Sequence, residues 1–155
     1  MADLASSLQR LGLELPTPAA PVASYIPALA TSGGTVVHIS GQIPIRNGEL
    51  LATGLVPTDV SIETAQDCAR QCVLNALAAL KQEIGDLARL RRVQRLGCFV
   101  AATSDFTDHP KVANGASDLL KELLGDAGTH VRAAVGVASL PLGVPVEIEF
   151  SFLVD

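Results

Sequence analysis

The sequence predicts an α+β domain in which a mixed β-sheet carries two helices packed on one face. Three observations predict it. Ala65, Ala69, Cys72, Ala76 and Leu80 recur at helical spacing in a stretch opened by Ser61 and closed by Gly85. The runs 131–138 and 146–154 alternate with a period of two, as half-buried strands do. The elements follow one another as β, long helix, β, helix, β, β, an order that a mixed sheet with helices on one side accommodates.

Taken in order, residues 3–13 read as a short helix, and the proline-rich segment 16–27 as extended or turn-like chain. The β-branched run Thr35–Ser40 lies between Gly33-Gly34 and Gly41 and reads as a strand, followed by a turn at Asn47-Gly48. The long helix spans about 61–84, and its alanine-rich face suits close packing on a sheet. Residues 93–102 form a further expected strand, and Lys111–Leu124 a second helix ended by Gly125. The turn Leu140-Pro141-Leu142-Gly143 separates the last two strands. At 155 residues the chain is long enough for one domain, 1–155, with its own core. Hydrophobic residues are 48% of it and aromatics 3%, so Ala, Val, Leu and Ile must build that core.

Composition narrows the function. Eleven basic against sixteen acidic side chains give a net charge of −5, which disfavours nucleic acid as a partner. The one basic concentration, Arg89, Arg91, Arg92 and Arg95, lacks interleaved aromatics and reads as a solvated connection. Residues 15–45 lack charged side chains, but the prolines and glycines within them exclude a spanning helix, so no membrane partner is expected. The N-terminus shows no basic region followed by an apolar run, and the expected location is the cytoplasm. Cys68, Cys72 and Cys98 form an odd set without a CxxC pair. Cys68 and Cys72 are one helical turn apart, yet His38, His109 and His130 supply no matching metal-ligand spacing, so buried, inert thiols and no metal site are expected. His109 and His130 show no catalytic partner in sequence.

The strand faces supply the candidate site. Alternation along 146–154 places Val146, Ile148, Phe150, Phe152 and Val154 toward the helices, and Glu147, Glu149 and Ser151 opposite. His38, Ser40 and Gln42 lie opposite Val37 and Ile39. In 131–138, Arg132 shares a face with the small residues Ala134, Gly136 and Ala138. This predicts open space beside a guanidinium, on the same sheet face as the two glutamates. Arg132 suits a ligand carboxylate, its forked donors matching two oxygens; the competing reading is an exposed arginine paired with Glu147 or Glu149. Glu147 would serve as general acid or base if partly buried, and is otherwise a solvated side chain. Tyr25, the sole tyrosine, is either a hydrogen-bonding lid or a packing residue.

Ser40-Gly41-Gln42-Ile43-Pro44, followed downstream by Arg132 through Pro141 and by Val146-Glu147-Ile148-Glu149, resembles the Rid family of reactive-intermediate deaminases, also known as L-PSP endoribonucleases. The resemblance runs over about residues 20–154, leaving 1–19 as an N-terminal extension. It implies a chorismate-mutase-like fold, a homotrimer whose sheets form a central barrel, and sites in clefts between subunits. It also implies that Arg132 binds a substrate carboxylate, that Glu147 positions or activates water, and that Tyr25, Ser40, Asn114 and Ala134 line the pocket. The implied reaction is cofactor-free hydrolysis of a small 2-imino or enamine acid to the 2-oxo acid and ammonia. A carboxylate-binding trimer without turnover is the alternative, and ribonuclease activity a more remote one. Two departures mark a divergent branch. Ala134 stands where the deaminases commonly carry Cys or a hydroxyl residue, and Thr107–Lys111 looks inserted relative to shorter members, which bears on the placement of Asn114.

Overall fold

The computed structural model describes residues 4–18 and 24–155. Among them, helix α1 spans Leu4–Arg10, α2 Ile62–Ile84 and α3 His109–Leu124. Strands β1 (Ala28–Ala30), β2 (Val36–Gln42), β5 (Leu90–Ala101), β6 (Val131–Val137) and β7 (Val146–Val154) form one sheet in the order β1-β2-β7-β5-β6. It is a mixed sheet, because β5 and β6 run parallel while the other neighbours are antiparallel. Strands β3 (Ile45–Arg46) and β4 (Glu49–Leu50) make a separate small hairpin. Its two-residue turn is Asn47-Gly48, both at positive φ (53° and 82°), which matches the twist of the strands they join. The Pro-rich segment is expected to be irregular; residues 16–18 and 24–27 are so, and 19–23 lie outside the described residues.

The long helix begins and ends where its signals stand. Ser61 caps α2 by accepting the Thr64 amide at 3.1 Å, and Gly85 closes it at φ 80° with its N–H on the Lys81 carbonyl. Helix α3 starts two residues before the expected Lys111, because Pro110 fits the first turn, where no backbone donor is needed. Helices α2 and α3 pack closely at Gly115, where a Cβ would meet the Gln66 backbone.

The alternation along β7 holds over its full length. Val146, Ile148, Phe150, Phe152 and Val154 are buried toward the helices, and each such side chain contributes roughly 1.5–3 kcal/mol on leaving water. Leu96, Cys98 and Val100 of β5 continue that buried layer, and Ala65, Ala69, Cys72 and Ala76 of α2 face it. Helix α1 adds Leu4 and Leu8 to the same core.

The other face of the sheet is exposed at Leu29, His38, Val131, Ala133 and Val135. His38 joins it to β7 through Ser151 at 2.9 Å. Among the described residues no helix is long and apolar enough to cross a membrane.

Candidate functional site

The two faces of β6 are exchanged relative to the expectation. Arg132 pairs with Leu96, which pairs with Phe150, and both are buried toward the helices. Paired residues share a face, so Arg132, Ala134 and Gly136 lie on the helix side, while Val131, Ala133 and Val135 are exposed opposite. The physical reason is the closeness of α3. Its first turn sets the His109 ring against β6, where a Cβ at Gly136 would meet Nε2, and its next turns hold Arg132 through Asn114 and Ser117. Because β6 is an edge strand, its valines sit on the open face. Alternation sets the parity of a strand but not which parity faces inward.

Arg132 is therefore separated from Glu147. Phe99 pairs with both Glu147 and Val135, which puts all three on the open face. The two charged residues occupy opposite faces, two strands apart, a lateral separation of roughly 10 Å. Neither expected cross-strand pairing of Arg132 occurs, since Glu149 instead pairs with Arg95 at 2.7 Å. One chain thus carries two separate candidate half-sites.

The first half-site lies between β6 and α3. Arg132 Nη1 donates to Asn114 Oδ1 at 3.0 Å and to Ser117 Oγ at 2.9 Å, and Nη2 donates to the Pro110 carbonyl at 3.4 Å. Asn114 and Ser117 are one helical turn apart and present their oxygens together. Both Nη1 hydrogens are used. Nε–H has no hydrogen-bond partner among the described residues, and Nη2 carries only the long bond to the Pro110 carbonyl; together they form the side-on fork that matches a carboxylate. Ala134 lies two residues along the same face, packed against the core. Arg132 is also close enough to Cys98 to pull its thiol down, but burial dominates and pushes Cys98 up to about 12. Burial likewise raises Cys68, to about 11, and Cys72. All three thiols are buried and free.

The second half-site gathers at the bulge between Ile39 and Gln42, where β2 slips against β7. Ser40 Oγ donates to the Ile26 carbonyl at 2.6 Å, tying the segment that carries Tyr25 to β2. A Cβ at Gly41 would overlap Glu147 Oε1, so the glycine gives that carboxylate its place beside Ser40. Glu147 is raised above the usual carboxylate range, chiefly by burial and then by Glu149. The bulge also breaks the expected face, because Gln42 pairs with Ile148 and falls on the helix side.

The structure thus groups Arg132, Asn114 and Ala134 at one place, and Ser40 and Glu147 at another, with the exposed Tyr25 next in sequence to the Ile26 carbonyl that Ser40 holds. Sequence reasoning missed Ser117 and left His130 without a partner. In the structure His130 Nε2 lies 3.0 Å from Ser117 Oγ, and Nδ1 lies 2.6 Å from the Gly128 carbonyl. The spacing of Asn114 and Ser117 was the available signal, but it gains meaning only once Arg132 faces α3. His109 stands at the helix start with its ring edge-on to Phe106. The arginine cluster is engaged locally, Arg89 and Arg91 with Asp155, Arg92 with the Thr129 carbonyl and Arg95 with Glu149.

Two of the clefts within the chain lie elsewhere. One of about 340 Å³ is lined by Leu4, Leu8, Leu15 and Leu87, and another of about 360 Å³ by Arg46, Arg70 and Gln71. Among the described residues, no three His, Cys, Asp or Glu side chains are grouped to hold a metal.

Fold and geometry define a class: an α+β domain with two polar clusters on opposite faces of one mixed sheet. Residues 5–150 match the YjgF/chorismate mutase-like family, whose description also carries an endoribonuclease label. Protein TCP17 of Trypanosoma cruzi is 40% identical over 147 residues, covering 94% of this chain and 91% of the relative. The crystal structure of Atu1372 from Agrobacterium tumefaciens superposes with a TM-score of 0.90 at 40% identity, over 98% of this chain and 92% of that one. TdcF from E. coli, solved with bound serine, gives 0.62 at 25% identity, over 90% and 94%. The chain belongs to this family, the Rid family that its motifs resemble.

Proposed function

We propose that the protein hydrolyses small 2-imino or enamine carboxylates to 2-oxo acids and ammonia without a cofactor. The reaction takes place where the Arg132 half-site of one subunit meets the Glu147 half-site of a neighbour in a homotrimer. The observation that carries this reading is the braced guanidinium, with Nη1 held by Asn114 and Ser117 and the Nε/Nη2 edge left to a carboxylate. The serine bound by TdcF, itself a carboxylate-bearing amino acid, is consistent with such a ligand. The division of the half-sites between opposite faces and the exposed Val131 and Val135 support closure by a second copy of the chain.

Water adds to C2 of the C=N group while a proton passes to nitrogen. The carbinolamine then loses ammonia as the carbonyl forms. Arg132 holds the carboxylate and orients C2. Glu147, raised by burial, relays a proton from the attacking water to the nitrogen and then the carbinolamine hydroxyl proton to the departing nitrogen; an enamine enters the same route once protonated at C3. Imines already hydrolyse in water, so orientation and proton shuttling are sufficient demands on the site.

The test is to generate 2-iminobutyrate or 2-iminopropionate in situ and follow 2-oxo acid formation. No acceleration over buffer for any imino acid would remove the reaction. Saturable 2-oxo acid binding without turnover would leave a metabolite-binding trimer, the reading to which Ala134 lends weight. The endoribonuclease label draws less support, given the net charge of −5 and the local engagement of the arginine cluster.

A further inference from the structure

We propose that Ser117 and His130 are positioning residues for Arg132, and that the hydrogen-bond chain they form sets which guanidinium edge meets the ligand. This rests on the reading above that Arg132 binds a carboxylate. The chain runs from Arg132 Nη1 to Ser117 Oγ (2.9 Å), on to His130 Nε2 (3.0 Å), and from His130 Nδ1 to the Gly128 carbonyl (2.6 Å).

For a neutral imidazole, the chemistry of its end fixes the direction of the whole chain. A carbonyl only accepts, so Nδ1 must carry a proton. In the neutral ring Nε2 is then a lone pair, and the Ser117 hydroxyl donates to it. The Ser117 oxygen is left as a pure acceptor toward Arg132. Every group has one role, and reversing any link would set two donors or two acceptors face to face.

The far end is anchored. Gly128 is buried, and a Cβ there would collide with the Leu120 backbone, so its carbonyl is held against α3 itself. Asn114 Oδ1 takes the second Nη1 hydrogen from the same helix. With both Nη1 hydrogens held, rotation of the guanidinium is blocked and the Nε/Nη2 edge stays outward. The Gly128 carbonyl fixes the tautomer in which Nε2 can accept from Ser117. This accounts for a part-buried chain of polar groups that the proposed reaction itself leaves without a role.

The experiment measures 2-oxobutyrate binding to the purified full chain by titration calorimetry, with folding checked by thermal unfolding. Ser117→Ala and His130→Ala are each expected to weaken binding about tenfold, the scale of one hydrogen bond to a charged group. Ser117→Thr, which keeps the hydroxyl, and His130→Gln, whose Oε1 still accepts from Ser117, should restore most of it. The Ser117→Ala/His130→Ala double variant should bind no worse than Ser117→Ala alone, because His130 acts only through Ser117. If Ser117→Ala fails to fold, the His130→Ala and His130→Gln pair carries the test.

Unchanged binding in the alanine variants, failure of Gln and Thr to rescue, or a double variant weakened by the product of the two losses would each overturn the chain's role. Arg132→Ala separates this from the parent reading. Loss of binding there with none in the Ser117 and His130 variants removes only the positioning role, whereas retained binding in Arg132→Ala removes the carboxylate site itself.

Discussion

The two half-sites hold their charges by opposite means. Arg132 is a cation braced by three oxygen acceptors from α3, two of them on one guanidinium nitrogen, with one forked edge left over. Glu147 has no such brace. Its carboxylate rests over a glycine, beside the half-buried Phe99 and near the like charge of Glu149, and its pKa is raised as a result. The braced cation suits binding and orientation, which reward a fixed geometry. The desolvated carboxylate suits proton transfer, which rewards a pKa brought toward neutrality. One small sheet provides both environments by using opposite faces.

The contrast can be broken at either side. The largest effect is expected from Glu147→Gln, which should lower turnover about 10²- to 10⁴-fold, the usual weight of a general acid or base, while leaving 2-oxo acid affinity near that of the parent. Steady-state kinetics and calorimetry together check this split. Arg132→Ala should do the reverse at the binding step, weakening 2-oxo acid affinity about a hundredfold, as loss of a charge-assisted forked pair would. If the half-sites meet across subunits, mixing and reassembling these two variants should regain activity that neither has alone, and no recovery would overturn a cleft shared between subunits.

Gly41→Ala comes next. The added methyl must displace the Glu147 carboxylate, the end of a flexible side chain, so steady-state kinetics should show turnover falling while the midpoint in denaturant stays near that of the parent. Asn114→Ala should be milder, about fivefold in affinity, because Ser117 still holds Nη1.

The smallest effect lies in pH. The raised pKa of Glu147 means that its contribution to stability is fully present below the ordinary glutamate pKa of about 4.3 and is lost as pH climbs through the higher folded-state value. Glu147→Gln should therefore unfold at a higher temperature than the parent at neutral pH, with the gap closing in acid.

Much of the fold was legible in the sequence because its signals are local. Ser61 and Gly85 bound α2, Asn47-Gly48 makes the turn they predict, and β7 buries the five residues that its alternation names. The short strands β1, β3 and β4 were not legible, since two or three residues hold no period and depend on partners supplied by the rest of the chain. The grouping of Asn114 with Arg132 came from the family resemblance, and the structure brings the two into contact. Ser117 and His130 could not be found in advance, because neither has meaning until α3 lies over β6.

By itself the sequence determined the period of each element and the chemical types available to the two half-sites. Only the tertiary structure decided that Arg132 faces the helices and Glu147 the open side. A two-residue period is symmetric between the faces of a strand, and on edge strand β6 small and apolar residues occupy both. The choice fell to α3, which lies over that side of β6 with the His109 ring against Gly136 and holds Arg132 through Asn114 and Ser117.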